Sequence, residues 1–183
     1  MKDNSLDRLA NSVIEFKKIT PCDAEAMFAY LRDEDVSRYI GWQLMSSVDE
    51  VKDFIGVLQQ REAAKTHQYA SVTVKATGQV IGNMMLFNFD DEARSAEVGY
   101  VFSKACWNQG YGTQSLKLLV DYSFKTLRLH RLHAALVAVN GASARILEKN
   151  GFLPEGCLKD AYYIDDQYFD SLIYGLINPA EVH

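Results

Sequence analysis

The chain has 183 residues, 48% hydrophobic and 23% charged with only three prolines, which is the composition of an ordinary soluble globular protein of one-domain size. A net charge of −5 argues against a protein whose main task is gripping a nucleic-acid backbone, because that grip needs many Lys and Arg side chains on phosphates. It leaves room for one small polyanion.

The N-terminal MKDNSLDRLANS has no apolar stretch of the signal-peptide kind, and no apolar run in the chain reaches membrane-spanning length. Neither export nor membrane insertion is expected. Residues 1–10 and 178–183 are expected to be flexible. Val13 to Ile19 is β-branched and roughly alternating, so it reads as a first strand. Thr20, Pro21 and Asp23 then open a helix that runs to about Arg32. Ser47 with Glu50 makes a capping box ahead of a second helix, which carries Val51, Phe54, Ile55 and Leu58 on one stripe. Between the two helices lies the aromatic stretch RYIGW.

YASVTVKATGQVIGNMMLF holds two β-rich runs around Thr77-Gly78, a hairpin signature, and SAEVGYVF from Ser95 to Phe102 supplies a third strand. A third helix begins near Gly110 to Thr113, with Leu116, Leu119, Val120, Phe124 and Leu127 at helical spacing. His130 to Val139 reads as a buried strand. NGASARILEKNGF reads as a short helix closed by Asn150-Gly151. Phe152 to Ala161 and Tyr168 to Leu176 form a closing hairpin around Tyr162 to Asp166. The order β-α-α-β-β-β-α-β-α-β-β, without repeat or linker, specifies a single α+β domain over 1–183 with a mixed, mostly antiparallel sheet flanked by helices.

In CWNQGYGTQSLKLLVDYSF, turn residues crowd the mouth of a helix. Such a start presents unsatisfied backbone N–H groups and the positive end of the helix dipole beside residues with little side chain, an arrangement that suits phosphate. Alone, Gly-x-Gly before a helix is also an ordinary tight turn. AEVGYVFSKACWNQGYGTQSLKLLVDYSF through LRLHRLHAALVAVNGASARILEKNGF resembles the core of the GNAT acetyltransferase superfamily, and within it the Rim-type group that acetylates ribosomal-protein N-termini, with its small-molecule relatives. The likeness reaches ITPCDAEAMFAYLRDEDVSRYIGW near the start and YYIDDQYFDSLIYGLI near the end. The family's pyrophosphate motif, Gln/Arg-x-x-Gly-x-Gly/Ala, reads here Trp107-Asn108-Gln109-Gly110-Tyr111-Gly112, with Trp107 where a polar residue is usual.

The resemblance implies an N-acetyltransferase that moves the acetyl group of acetyl-CoA directly to a primary amine, on a protein N-terminus or a small molecule. It implies that the fourth and fifth strands splay to admit the pantetheine arm like an added strand. Val101, Phe102 and Ser103 would then offer backbone partners, Asn108, Gln109, Gly110, Tyr111, Gly112 and Thr113 would hold the pyrophosphate, and Asn140 would bind the pantetheine amide. Glu97 matches the family's base on the fourth strand, acting directly or through water. By alternation it shares a face with Gly99, Val101 and Ser103, and a solvated carboxylate paired with Arg94 is its other reading. Ser143, in NGAS, matches the group that hydrogen-bonds or protonates the leaving thiolate. Tyr39, Ile40 and Trp42 match the wall of the acceptor groove, and Tyr162 and Tyr163 lie in the hairpin that could face it.

Asn140 alone is explained as a helix cap, Ser143 as a first-turn serine, and Arg145 and Lys149 as surface charges rather than CoA contacts. His67, His130, His133 and His183 lack ligand-like spacing, so no metal is expected, and His130 and His133 read as structural. Cys22, Cys106 and Cys157 fit neither a disulfide framework nor a zinc pattern, which points to the cytoplasm. Cys106 has no partner that would make it a nucleophile. A non-catalytic acyl-CoA-binding or regulatory module is the alternative reading. Expected partners are an amine acceptor and, through an exposed strand of the closing hairpin, a second copy of the chain; nucleic acid and membrane are not.

Overall fold

The structure, a computed structural model, describes residues 5–40 and 44–181. Strand β1 spans Ile14–Lys17, and a 3-10 turn at Pro21–Asp23 leads into α1, Ala24–Leu31. The Thr20 amide donates to Asp23 Oδ2 at 2.7 Å, closing the expected cap. Helix α3, Val48–Ala63, starts as the sequence indicates, with Ser47 Oγ accepting from the Glu50 amide at 3.1 Å. Glu50 reaches one residue further back than a simple capping box requires, to the Ser46 amide at 2.7 Å. Between them sits a one-turn helix that the sequence reading omits, α2 at Glu34–Ser37, capped by Asp33 and burying Val36 and Ser37. One turn is too short to show periodicity.

Strands β2 (His67–Val74), β3 (Val80–Asp90) and β4 (Ser95–Phe102) follow as a meander, then α4 (Tyr111–Lys125), β5 (Arg131–Val137), α5 (Gly141–Lys149), β6 (Leu153–Ile164) and β7 (Gln167–Ile177). The closing strands are longer than expected. Tyr162 and Tyr163 extend β6, and the reversal is the two-residue turn Asp165-Asp166, with φ of 50° and 59°. Both values are left-handed, as a type I′ hairpin demands, but no glycine advertises them. The chain ends are tied down further than expected. Leu6 is buried in the core, Ala10 bridges to Glu15, and Asn178 is buried with its Nδ2 donating to the Leu129 carbonyl at 3.2 Å.

One seven-stranded sheet runs in the order β1-β2-β3-β4-β5-β7-β6, and only β4 and β5 are parallel. Helices α4 and α5 bury Leu116, Leu119 and Leu147 against one face, on Ile81, Met84, Val98, Leu132 and Leu136. Helices α1 to α3 bury Met27, Leu31, Val51, Ile55 and Leu58 against the other, with Tyr69 and Val101. Each such side chain contributes about 1.5–3 kcal/mol. The β6 edge has no such cover, and Leu153, Leu158 and Tyr163 are exposed on it.

The parallel pair holds only from Ser95↔Arg131 to Glu97↔His133. Beyond that rung β4 stays with β3 as far as Gly82↔Phe102, while β5 stays with β7 as far as Val137↔Ser171. The sheet therefore forks at Glu97 and His133 and opens toward the N-termini of α4 and α5.

Candidate active site

The fork opens into a cavity of about 650 Å³ with three walls. The first is the loop into α4, contributing Asn108, Gly110, Tyr111, Gly112 and Thr113. Asn108 and Gly110 are both left-handed, at φ of 60° and 81°, and no side chain caps the helix. The first helical hydrogen bond of this turn is Gln114 N to Gly110 O at 3.1 Å, so the amides of Tyr111, Gly112 and Thr113 come before the ladder begins. Gly112 also allows close packing: a Cβ there would lie 2.7 Å from Ile146 Cδ1. Bare amides, the positive end of a 15-residue helix and a shortage of side chains fit a phosphate group.

Trp107 accounts for its own departure from the family motif. Its indole Nε1 donates to the Phe102 carbonyl at 2.9 Å and pins the loop to the end of β4. The Ser103 amide donates to Ile81 O at 2.8 Å, back toward β3. By alternation Val101 and Ser103 address β3, and Tyr100 and Phe102 address the fork. Of Val101, Phe102 and Ser103, only Phe102 turns its backbone groups to the fork, and Tyr100 does the same. Gln109 turns its side chain away from the cavity, donating to the Ala105 carbonyl at 2.8 Å.

The second wall is the start of α5, with Val139, Asn140, Gly141, Ala142, Ser143, Arg145, Ile146 and Lys149. Asn140 Oδ1 accepts from the Ser143 amide at 3.1 Å, the capping role its sequence position implies. Tyr100 Oη donates to the Ser143 carbonyl at 3.1 Å and acts as a strut across the open fork. Burial pushes the Tyr100 phenol well above its ordinary pKa, so it remains a neutral donor.

The third wall is α2 and the residues after it: Asp35, Val36, Arg38, Tyr39 and Ile40. Two ion pairs clamp it. Lys104, beside the α4 loop, pairs with Asp35, and Arg38 reaches Asp165 on the β6–β7 turn at 2.9 Å. Tyr39 and Ile40 line the cavity, and Trp42 lies outside the described residues. Tyr162 and Tyr163 do not line it. Tyr163 is exposed, with its hydroxyl donating to Asp166 at 3.2 Å and its ring against Tyr168 at 4.8 Å.

Glu97 sits at the closed end of the fork, about 10 Å along β4 from Tyr100. Its partner is His133, with Nε2 at 3.7 Å from Oε2, and Asn88 Nδ2 donates to the same oxygen at 2.8 Å. Arg94, the partner considered from sequence, turns instead to Glu181, which also meets His130. Partial burial pushes the Glu97 carboxyl up, but the His133 imidazole beside it, the Asn88 hydrogen bond and the Ala135 backbone together hold it below its ordinary value. Among the described residues no group of three His, Cys, Asp or Glu is placed to hold a metal ion.

Residues 14–153 match the family model described as an acetyltransferase (GNAT) domain. The chain belongs to the GNAT acetyltransferase family. It is an acetyl-CoA-dependent N-acetyltransferase. It is similar to the uncharacterized N-acetyltransferase YoaA of Bacillus subtilis (strain 168), 29% identical over 169 residues that cover 90% of this chain and 93% of that one. The spermidine N(1)-acetyltransferase of Escherichia coli (strain K12) is 29% identical over 99 residues, 54% of this chain and 53% of that one. In fold it is similar to RimL, a ribosomal L7/L12 alpha-N-protein acetyltransferase in complex with coenzyme A, with a TM-score of 0.84 at 20% identity, covering 93% of this chain and 97% of that one.

The site contains residues the sequence reading did not single out. Asp35, Val36 and Arg38 come from the unread α2, Tyr100 from the strand face opposite Glu97, and Asn88 from a bulge where the β3–β4 register shifts. The left-handed φ of 48° at Asn88 carries no sequence signal beyond asparagine's tolerance of that region.

Proposed function

We propose that this GNAT domain acetylates a primary amine by direct transfer, with Glu97 as base and Ser143 beside the leaving thiolate. The observation that carries the reading is the one-sided fork: the open strands face the amides of Tyr111 to Thr113, and the only half-buried carboxylate at its closed end is Glu97 among the described residues. Acetyl-CoA supplies a thioester carbonyl whose carbon accepts the amine. Phe102 and Tyr100 present backbone groups to the arm, and Asn140 and Ser143 stand across from them. Tyr39, Ile40 and Val36 wall the acceptor's approach.

As the N–C bond forms, the nitrogen's proton becomes far more acidic, so a carboxylate of low pKa can take it. Glu97 receives that proton through water, given its distance from the cavity, and the sulfur released by C–S cleavage is protonated from the Ser143 side. The acceptor is a protein N-terminal amine or a small amine; the relatives RimL and spermidine N(1)-acetyltransferase support each choice in turn. Three free cysteines, two of them exposed, support a cytoplasmic setting. The exposed β6 edge supports a homodimer, which light scattering of the purified chain would test.

The decisive experiment combines acetyl-CoA with peptides bearing free N-termini and with polyamines, reading acetylated product by mass spectrometry. Glu97→Gln is expected to lower kcat roughly 100-fold while coenzyme Kd stays within about two-fold. Undiminished turnover in Glu97→Gln would remove the base assignment.

A further inference from the structure

Across the sheet at the fork, Phe87, Glu97, His133 and Gly175 lie in one register row, so Glu97 and His133 project from the same face. The Glu97 side chain is 17% exposed and that of His133 29%, so the pair is half-withdrawn from water while the imidazole still reaches it. Asn88 Nδ2 donates to Oε2 at 2.8 Å, the His133 imidazole approaches the same oxygen at 3.7 Å, and the Ala135 backbone N–H is a further donor to this carboxylate.

The surroundings of His133 are charged in an ordered way. Glu97 faces it from β4, with Asn88 of β3 behind. From β6, Glu155 acts on it, and Glu155 is bound by Arg131, which stands two residues before His133 on β5. Gly175 of β7 has no side chain to separate these groups, and a Cβ there would overlap the Glu155 carboxylate. Glu155 is thus neutralised by Arg131, and the carboxylate left to His133 is Glu97.

We propose that His133 is a positioning residue for the acetyl transfer, steadying the Glu97 carboxylate together with Asn88 and the Ala135 amide so that it faces the water that carries the acceptor's proton. This rests on Glu97 being the base. His133 makes no contact with substrate in this role; it fixes the orientation of the carboxylate and weakens its basicity when charged. The imidazole that the sequence assigns to plain structure is tied to the reaction by geometry alone, since nothing in His130-Arg131-Leu132-His133 marks the fourth residue.

Four variants separate the outcomes: Glu97→Gln, His133→Leu, His133→Gln and Asn88→Ala. His133→Leu is expected to lower kcat about ten-fold with both KM values within about two-fold of the parent, because misorientation of a catalytic group costs turnover rather than binding. Its acidic limb of kcat against pH moves to higher pH, since a donor and a charge that lower the Glu97 pKa are gone. His133→Gln, which retains a donor, is expected to recover most of kcat with a smaller displacement of that limb. Asn88→Ala, which leaves His133 intact, should lower kcat in the same manner as His133→Leu. If Glu97→Gln is impaired while both His133 variants keep the parental kcat and pH profile, the positioning role is overturned and the base assignment stands. If Glu97→Gln keeps parental kcat, both fall together.

Discussion

The α4 wall and the α2 wall of the cleft are made in different ways. The α4 wall is mostly backbone: two left-handed residues, three amides ahead of the helical ladder, and a glycine packed under Ile146. The α2 wall is mostly side chain, with Arg38, Tyr39 and Ile40 held in place by ion pairs to Lys104 and Asp165 from distant parts of the chain. The first wall is suited to a ligand part that never changes, such as a diphosphate, because main-chain donors vary little with sequence. The second can be altered by single substitutions, which is where an enzyme's choice of acceptor resides.

The contrast can be broken most severely at Gly82. A Cβ there would overlap the Val101 carbonyl oxygen, which is backbone and cannot swing aside. Gly82→Ala is expected to destabilise the fold by about 3 kcal/mol in urea unfolding and to weaken coenzyme binding by shifting Phe102. A parental unfolding midpoint would show that the β3–β4 approach does not set the edge of the fork. Next in size is Gly110→Val, which forces a β-branched residue to a φ of 81°. Strain of about 1–2 kcal/mol and a displaced amide cradle are expected to raise coenzyme Kd at least ten-fold by calorimetry, with acceptor KM nearly unchanged.

Arg38→Gln tests the other wall. Its pair with Asp165 is solvent-exposed, so the thermal midpoint should hardly move, whereas acceptor KM should rise a few-fold and coenzyme KM should not. Equal changes in both KM values would erase the division between the walls. The smallest effect is one of pH. Because the Glu97 carboxyl is held below its ordinary value, it contributes stability above the unfolded-state glutamate pKa of about 4.3, and that contribution is lost as pH falls through the lower folded value. The Glu97→Gln protein should therefore lose less stability than the parent on acidification below about pH 4, as read by denaturant titration at each pH.

Legibility follows the same division. Strand β4 falls on the residues that alternation assigns, Ser95–Phe102, and α4 starts at Tyr111, inside the Gly110 to Thr113 stretch that the glycine signal marks. The Glu97 position is readable because it lies on a regular strand upstream of that landmark. Its partners are not readable. Asn88 arrives through a bulge and His133 through the parallel pairing of strands more than thirty residues apart, so local pattern gives no hint of either. The reversal at Asp165-Asp166 escaped because tyrosines on both sides are good strand formers and no glycine marks the turn.

By itself, then, the amino-acid order determined the elements, the glycine-bearing helix start and the carboxylate on the fourth strand, since each depends on torsional preference or spacing within one segment. Tertiary structure alone decided how far β4 and β5 stay paired, which fork-facing groups remain, and that His133 and Asn88 meet on one oxygen of Glu97. Those outcomes depend on register between strands and on packing across the sheet, where residues far apart in the chain compete for the same space and the same hydrogen bonds.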